Sequence, residues 1–383
     1  MSSSGENESM LDNNALVAAA TPVFFALIAL ELWVARRRRV PAYALADSLA
    51  SIGCGVWTVT VEVFTKAAAV LLFAFIEQRY ALLHFDAGNW LTWVMFFVLL
   101  DFLYYWAHRW SHEINFLWGV HSPHHQSEEY NLSTALRQGA FQDTVHMPIF
   151  LPLALLGCPV EVFITVLTFS KFYQFWIHTR MIAKVPLIEG ILNTPSAHRA
   201  HHAVNDIYLD RNYGATLMIW DRLFGTWVDE TEPCVYGVRK PFHSWNPVWA
   251  QFSWFADVWR DAGRARRPVD RLAIWWRRTG WRPADVVQSD PQAPFVLADV
   301  KHFSATRGRK WAVAAVALFV LAAILNNILL TQVSTLSLTL KIALAAGVTL
   351  TLVAMAAALQ PRAKQGKQAQ PVPAAISTSR RET

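Results

Sequence analysis

The stretch that decides the architecture is Trp90–His125, WLTWVMFFVLLDFLYYWAHRWSHEINFLWGVHSPHH. Trp90 to Ala107 is apolar and long enough to span a bilayer, and it runs directly into His108 and His112, four residues apart. On a helix Asp101, Tyr104 or Tyr105, His108 and His112 fall on one side, a polar line that faces a bundle interior and not lipid. His121, His124 and His125 follow at once, and His198, His201 and His202 repeat the same H-x-x-H-H spacing further on. Eight imidazoles exceed what one ion or an acid–base mechanism uses. No cysteine accompanies them, so the array reads as a polynuclear, all-nitrogen metal site. His108 with His112, and the outer pair of each H-x-x-H-H, are each able to grip one ion.

The rest of the chain places that array in a membrane. The 383 residues are 54% hydrophobic and only 16% charged, with a mean hydropathy of +0.24, which is wrong for an ordinary soluble protein. Cys54, Cys158 and Cys234 are too scattered for a disulfide framework or a thiolate zinc site. The formal charge of +6 comes with eighteen tryptophans, and the basic clusters abut apolar spans, which suits membrane-interface anchoring and argues against a nucleic-acid partner.

The expected organisation is all-α: a polytopic helical bundle of about seven spans with a histidine-rich cytoplasmic cap. Residues 1–14 form a polar tail without the basic start of a signal peptide. The region 15–107 holds three spans: Leu16–Ala35, ending in Arg36–Arg39; about Ile52–Ile76; and Trp90–Ala107. The arginine run puts the N-terminus outside and the chain end after the third span in the cytoplasm. Glu62 and Lys66 inside the second span are expected to pair at i,i+4, facing the bundle. The catalytic region 108–230 contains a hairpin, 139–178, broken at Gly157, Cys158 and Pro159 and kinked by Pro148 and Pro152. It crosses out and back and delivers His178 to the level of the other clusters. Residues 231–310, with WFADVWRDAGRARR and IWWRRTGW, suit cytoplasmic helices lying on the membrane surface. Two spans in 311–360, flanked by Arg307, Arg309 and Lys310 and by Arg362, Lys364 and Lys367, leave the C-terminus cytoplasmic. The tail 361–383 has a disordered composition.

Imidazole suits zinc, copper, iron and nickel alike, and eight or nine histidines imply two ions, each with about four nitrogens and room for a further ligand. The H-E-x-x-H motif of zinc hydrolases is absent, and redox work on an apolar substrate favours iron with dioxygen. The segments YYWAHRWSHEINFLWGVHSPHHQSEEYNLSTALRQ, YQFWIHT and LNTPSAHRAHHAVNDIYLDRNYGATLMIWDRLFGTW resemble the fatty acid hydroxylase and sterol desaturase superfamily of membrane di-iron enzymes. NLSTALRQ, QFWIHT and LNTPS are most similar to its ether-lipid branch, the alkylglycerol monooxygenases. The resemblance is dense over Asp101–Trp227 and thin after Asp229. It implies that His108, His112, His121, His124, His125, His198, His201 and His202 ligate iron, with His178 as a ninth ligand. It departs at Ala197, where that branch tends to carry another histidine.

A ligating imidazole commonly donates its second N–H to a carboxylate or carbonyl, which makes Glu113, Asp206, Asp210 and Asp221 candidate partners. Asn131, Arg137 and Asn193 lie in the family-like stretches and are candidates to orient substrate or cofactor. His84, His146, His243 and His302 lie outside the pattern and are expected to be structural or on the surface. The resemblance implies two irons, dioxygen and a reductant, tetrahydrobiopterin in the ether-lipid branch. It also implies hydroxylation of a lipid alkyl chain, with an ether-adjacent hydroxyl collapsing to aldehyde and glycerol. A sterol, fatty acyl, sphingoid or carotenoid hydroxylase or desaturase remains open, as does a zinc-binding or transport protein. The sequence leaves the oligomeric state open.

Overall fold

The structure, a computed structural model, describes residues 22–361. The start of the Leu16–Ala35 span, the 1–14 tail and all but the first residue of the 361–383 tail lie outside the described residues. Among the described residues there are no strands, only isolated bridges between loop residues. The long elements are α1 (22–38), α2 (Leu45–Tyr80), α3 (Trp90–Glu113), α6 (Gln142–Leu156), α7 (Val160–Trp176), α14 (Arg309–Thr331) and α15 (Leu338–Leu359). Shorter helices build the cap: α4 (Asn115–His125), α5 (Leu132–Ala135), α8 (Pro195–His201), α9 (Ile219–Leu223), α10 (Pro247–Ala250), α11 (Ser253–Arg264), α12 (Pro268–Trp276) and α13 (Ala284–Ser289).

Four helices, α2, α3, α14 and α15, are long and apolar enough to cross a membrane. Seven spans were expected, and the hairpin accounts for most of the difference. Its arms α6 and α7 have 15 and 17 residues, about 22 and 26 Å at 1.5 Å per residue, short of a hydrocarbon core of about 30 Å. The three residues of the break are taken out of the helical length. Pro148 and Pro152 do not end α6, which runs through both. The hairpin turn nonetheless reaches the loop joining α2 to α3: Leu82 N–H donates to Leu155 O at 2.8 Å. Phe73, Phe96, Leu100, Phe150, Val162 and Phe163 fill one apolar core there, with Phe73 and Phe163 stacked at 4.0 Å.

Two helices exceed the lengths read from hydropathy. α2 has 36 residues, roughly 54 Å, because its first turns leave the apolar window and enter the cap. There Ala46, Leu49 and Ala50 share a core with Trp245 and with Leu352, Met355 and Leu359 of α15. Thr60 Oγ1 donates to Asn326 Oδ1 of α14 at 2.9 Å, and Trp57 Nε1 to Thr349 Oγ1 of α15 at 3.1 Å, which ties the C-terminal helix pair to α2. α3 begins where Asn89 Oδ1 accepts from Leu91 N at 3.0 Å and continues past Ala107 to Glu113, so His108 and His112 sit on its last two turns.

The expected Glu62–Lys66 pair is not formed among the described residues. Lys171 of α7 instead pairs with Asp143 of α6, and Glu62 stands near that pair. Spacing along one helix made the two residues neighbours, but the charges of the hairpin compete for them across the bundle.

Gly157 has φ 103°, and a Cβ there would lie 2.0 Å from Leu83 O, whereas Gly280 has φ 79° with open space around it. Gly157→Ala is therefore expected to cost more than about 1 kcal/mol, the backbone term alone being of that order. Its thermal midpoint in detergent should fall well below that of Gly280→Ala; equal midpoints would refute the close packing of the hairpin turn on the α2–α3 loop.

Candidate metal centre

Four elements converge on one point in the cap. α3 contributes His108 and His112, and α4 contributes His121, His124 and His125. His178 lies just past the end of α7, and α8 with its C-cap residue supplies His198, His201 and His202. α8 starts where Thr194 Oγ1 accepts from Ala197 N at 3.3 Å with Pro195 in the first turn, a polar cap followed by a proline at a position that needs no N–H.

The nine imidazoles divide into two groups. His108, His112, His121, His125 and His201 form one, and His124, His178, His198 and His202 form the other; within each group the candidate ligand atoms lie within 4.8 Å of one another. The outer histidines of each H-x-x-H-H stay together, as their spacing suggests, while the middle one crosses over. Consecutive residues on a helix project about 100° apart, so His124 faces away from His125 and joins the group supplied mainly by α8, and His201 joins the group supplied by α3 and α4. His178 is the fourth member of the second group, so the hairpin completes it.

Backbone carbonyls fix which ring nitrogen is free. His108 Nδ1 donates to Tyr213 O (2.7 Å), His124 Nδ1 to Arg137 O (2.8 Å), His178 Nδ1 to Gln174 O (2.7 Å) and His201 Nδ1 to Arg211 O (2.8 Å). His121 Nδ1 meets the amide oxygen of Gln142 at 2.8 Å. A carbonyl only accepts, so the proton is on Nδ1 and Nε2 presents a lone pair. His108 Nε2 and His121 Nε2 nevertheless face each other at 3.1 Å, and His124 Nε2 and His178 Nε2 at 3.2 Å. Facing lone pairs repel unless a cation lies against both. Nitrogens bound about 2.1 Å from one ion sit roughly 3 to 3.4 Å apart, so each group fits a metal ion. His112 Nε2 and His201 Nε2 are buried without a hydrogen-bond partner, as free donor atoms for such an ion would be.

All nine rings are buried. Burial pushes the imidazole of His121 down to about 4 and that of His201 to about 3, and it holds His124, His125, His198 and His202 low as well, with neighbouring histidines adding to the effect. These rings are neutral at pH 7, the form that binds metal.

The carboxylates proposed from sequence do not touch the imidazoles. Glu113 pairs with Arg109 at 3.0 Å, Asp206 with Arg239, and Asp210 with Arg278 at 3.5 Å. Closeness along the chain does not translate into closeness in space: the Nδ1 atoms of His108, His124, His178 and His201 face backbone, and that of His121 faces Gln142. Asp221 acts one step further out. It accepts from Tyr213 N (2.8 Å), Gly214 N (2.7 Å) and Thr226 Oγ1 (2.6 Å), which sets the loop whose Tyr213 carbonyl orients His108. Asn193 Nδ2 holds the same loop at Gly214 O (2.6 Å), and Asp101 holds its continuation through Thr216 N (2.9 Å) and Leu217 N (3.2 Å). Arg137, besides its carbonyl, reaches Pro123 O (2.6 Å) and Gln126 Oε1 (3.0 Å) and so fixes the end of α4. Asn131 caps α5 and donates to Ala42 O at 2.7 Å. Asn131, Arg137 and Asn193 are all buried in backbone contacts.

Gln142, Gln174, Arg211 and Tyr213 were missed in the sequence. Carbonyl partners carry no side-chain signature, and only Gln142, at the start of the hairpin, had a legible one. His146 is buried and meets Ser111 Oγ at 2.8 Å without joining either group; His84 is exposed on its loop, His243 stacks on Phe303 and His302 pairs with Glu129.

The fatty acid hydroxylase family model matches residues 93–226, a stretch that contains all nine histidines. The alkylglycerol monooxygenase of Danio rerio is 34% identical over 322 residues, 82% of this chain and 71% of the relative. The chain belongs to the fatty acid hydroxylase family. The alkylglycerol monooxygenases of Homo sapiens and Xenopus tropicalis are 38% and 36% identical, over 70% of this chain and 60% of each relative, so the chain spans about three-fifths of their length. No solved structure gives a significant match. With four apolar helices and this family, the chain is an integral membrane protein.

Asp221→Asn leaves every histidine in place but weakens the anchor of the Tyr213 loop. Metal affinity is expected to fall about 10- to 100-fold, the usual effect of losing a group that orients a ligand. Competition with a chelator measures this; an unchanged affinity would show that the loop does not set His108.

Proposed function

We propose that this protein is a di-iron monooxygenase that hydroxylates a lipid alkyl chain, with ether-linked alkylglycerols as the substrate class. The observation that carries this reading is the pair of buried, nitrogen-only groups with facing lone pairs, His108 against His121 and His124 against His178, in a chain whose relatives are named alkylglycerol monooxygenases. His108, His112, His121, His125 and His201 would hold one iron, and His124, His178, His198 and His202 the other. Iron bound there supplies the one-electron redox steps with dioxygen that zinc lacks. Tetrahydrobiopterin as electron donor is part of the proposal through the family.

The protein's own contribution is orientation and exclusion of water. The carbonyls of Tyr213, Arg137, Gln174 and Arg211 hold five-membered rings that would otherwise rotate, and the burial of all nine keeps bulk water from the reacting C–H bond. An apolar groove of about 460 Å³ between α3 and α6 is lined by Leu103, Trp106, Trp110, Pro148, Ile149 and Pro152. Leu103, Trp106 and Trp110 lie on the face of α3 roughly opposite His108 and His112, so this groove is not the passage by which an alkyl chain reaches the ions.

The cytoplasmic placement of the centre is likewise proposed. It is supported by Arg36–Arg39 at the end of α1, where Arg38 Nη1 donates to Met181 O at 3.1 Å close to His178, and by the basic residues preceding α14. Seven spans would add Leu16–Ala35 and the two hairpin arms to the four long apolar helices; the arms are short, but their turn packs on the α2–α3 loop, and on that support we keep seven as part of this topology. A second reading retains the iron site with another lipid: an ornithine lipid hydroxylase of Rhizobium tropici is 32% identical over 144 residues, 37% of this chain. A zinc transporter would hold its ligands at mid-bilayer, whereas His108 and His112 lie on the last turns of α3.

Cells with and without the protein, fed labelled alkylglycerol, sterol and fatty acid pools, discriminate these readings. The expected result is oxygen- and iron-dependent conversion of alkylglycerol to fatty aldehyde. Oxidation confined to sterols or acyl chains would refute the ether-lipid assignment, and stoichiometric zinc without iron in protein prepared aerobically and anaerobically would refute oxygenase chemistry.

A further inference from the structure

The segment 253–289 takes no part in the metal centre, yet it carries an exposed apolar stripe. On α12, Val269, Leu272 and Trp276 are 55%, 72% and 67% exposed. Their spacing places them within a sector of roughly 60° on the helix. The other side of α12 is occupied: Ile274 is buried against Val258 and Ala262 of α11, with Trp254, Trp275 and Trp281 around it. The stripe therefore points away from the protein body. Between residues 265 and 282 there are six arginines and a single aspartate, and Arg267 and Arg271 lie roughly opposite the stripe.

The height of α12 is set by α3. Asn115 N donates to Arg277 O (3.0 Å), Thr279 N to Glu113 O (3.1 Å) and Asn115 Nδ2 to Ile274 O (2.7 Å), so the end of α12 is fastened by three hydrogen bonds to the junction where α3 ends and α4 begins. α3 has 24 residues, about 36 Å against a hydrocarbon core of about 30 Å, so a crossing by α3 leaves about one turn to reach the headgroups. Trp276 packs on Phe116 at 5.4 Å just beyond that turn. A helix held at this depth, apolar on the outward side and arginine-rich on the other, has the pattern of an interfacial helix.

We propose that α12 is a foot on an anionic lipid surface: Val269, Leu272 and Trp276 enter the outermost acyl layer, the exposed Arg266 and Arg277 at its two ends contact lipid phosphates, and Arg267 and Arg271 face water. This rests on the membrane placement of α3 and is independent of the substrate. Charge complementarity selects the anionic leaflet: 253–289 holds eight arginines against four aspartates, and Arg266, Arg271 and Arg277 are exposed with no carboxylate paired to them among the described residues.

The test uses the full chain with Cys234→Ser, Cys54 and Cys158 being buried, and a nitroxide label at Leu272→Cys or, for comparison, at Arg267→Cys, whose native side chain is 75% exposed. In vesicles of phosphatidylcholine with added phosphatidylglycerol, the label at 272 should collide with oxygen and be shielded from a water-soluble nickel chelate, while the label at 267 remains open to nickel. Removing phosphatidylglycerol or adding salt should raise nickel access at 272. Equal nickel access at both positions would overturn the proposal. So would a label at 272 shielded from both reagents with spin–spin coupling, which would put a second copy of the chain on the stripe. Indifference to phosphatidylglycerol would overturn the assignment to anionic lipid.

Discussion

Everything in the cap depends on one repeated hydrogen bond, from an imidazole Nδ1–H to a backbone carbonyl. It settles the tautomer, turns the Nε2 lone pair inward and stops the ring from rotating. With His108, His124 and His178 fixed in this way and His121 fixed by the side-chain amide of Gln142, the lone pairs of His108 and His121 meet at 3.1 Å and those of His124 and His178 at 3.2 Å. Desolvating a lone pair without a partner costs on the order of 1–3 kcal/mol, and setting two against each other costs more. A cation held by both nitrogens removes that cost. Metal binding and folding of the cap are coupled by that geometry.

The surrounding structure delivers those carbonyls. Tyr213 O and Arg211 O lie on a loop held by Asp221 and Asn193, and Asp101 of α3 reaches into its continuation, so one helix carries two of the candidate ligands and also braces the segment that orients one of them. Arg137 gives its carbonyl to His124 while its guanidinium closes the end of α4. The α6–α7 hairpin supplies Gln142 to His121 at its start and His178 with the Gln174 carbonyl at its end. Its short arms make sense in this light, since their span is set by the distance between the metal centre and the α2–α3 loop.

Much of this was legible in the sequence. The helical class, the second and third spans, the final helix pair and the nine histidines follow from hydropathy and spacing, because those patterns are local. The inclusion of His178 followed from the length of the apolar stretch ahead of it. The crossing of His124 and His201 between groups was not legible, since it depends on how α4 and α8 face each other. The orienting partners were not legible for a similar reason: Glu113, Asp206 and Asp210 are near the histidines in sequence, but His108, His124, His178 and His201 meet main-chain oxygens, to which any residue type contributes equally. Lys171, remote from Glu62 and Lys66 in sequence, changed their pairing by bringing Asp143 with it.

The central claim is that neighbouring residues of one helix serve different ions. It is tested most directly by metal analysis of the purified full chain beside His124→Ala and His125→Ala, with a spectroscopic signature to tell the two ions apart. The account predicts two ions per chain in the parent protein, with His124→Ala depleting the ion held by His178, His198 and His202, and His125→Ala depleting the other. A single ion in the parent, or loss of the same ion from both variants, would contradict it.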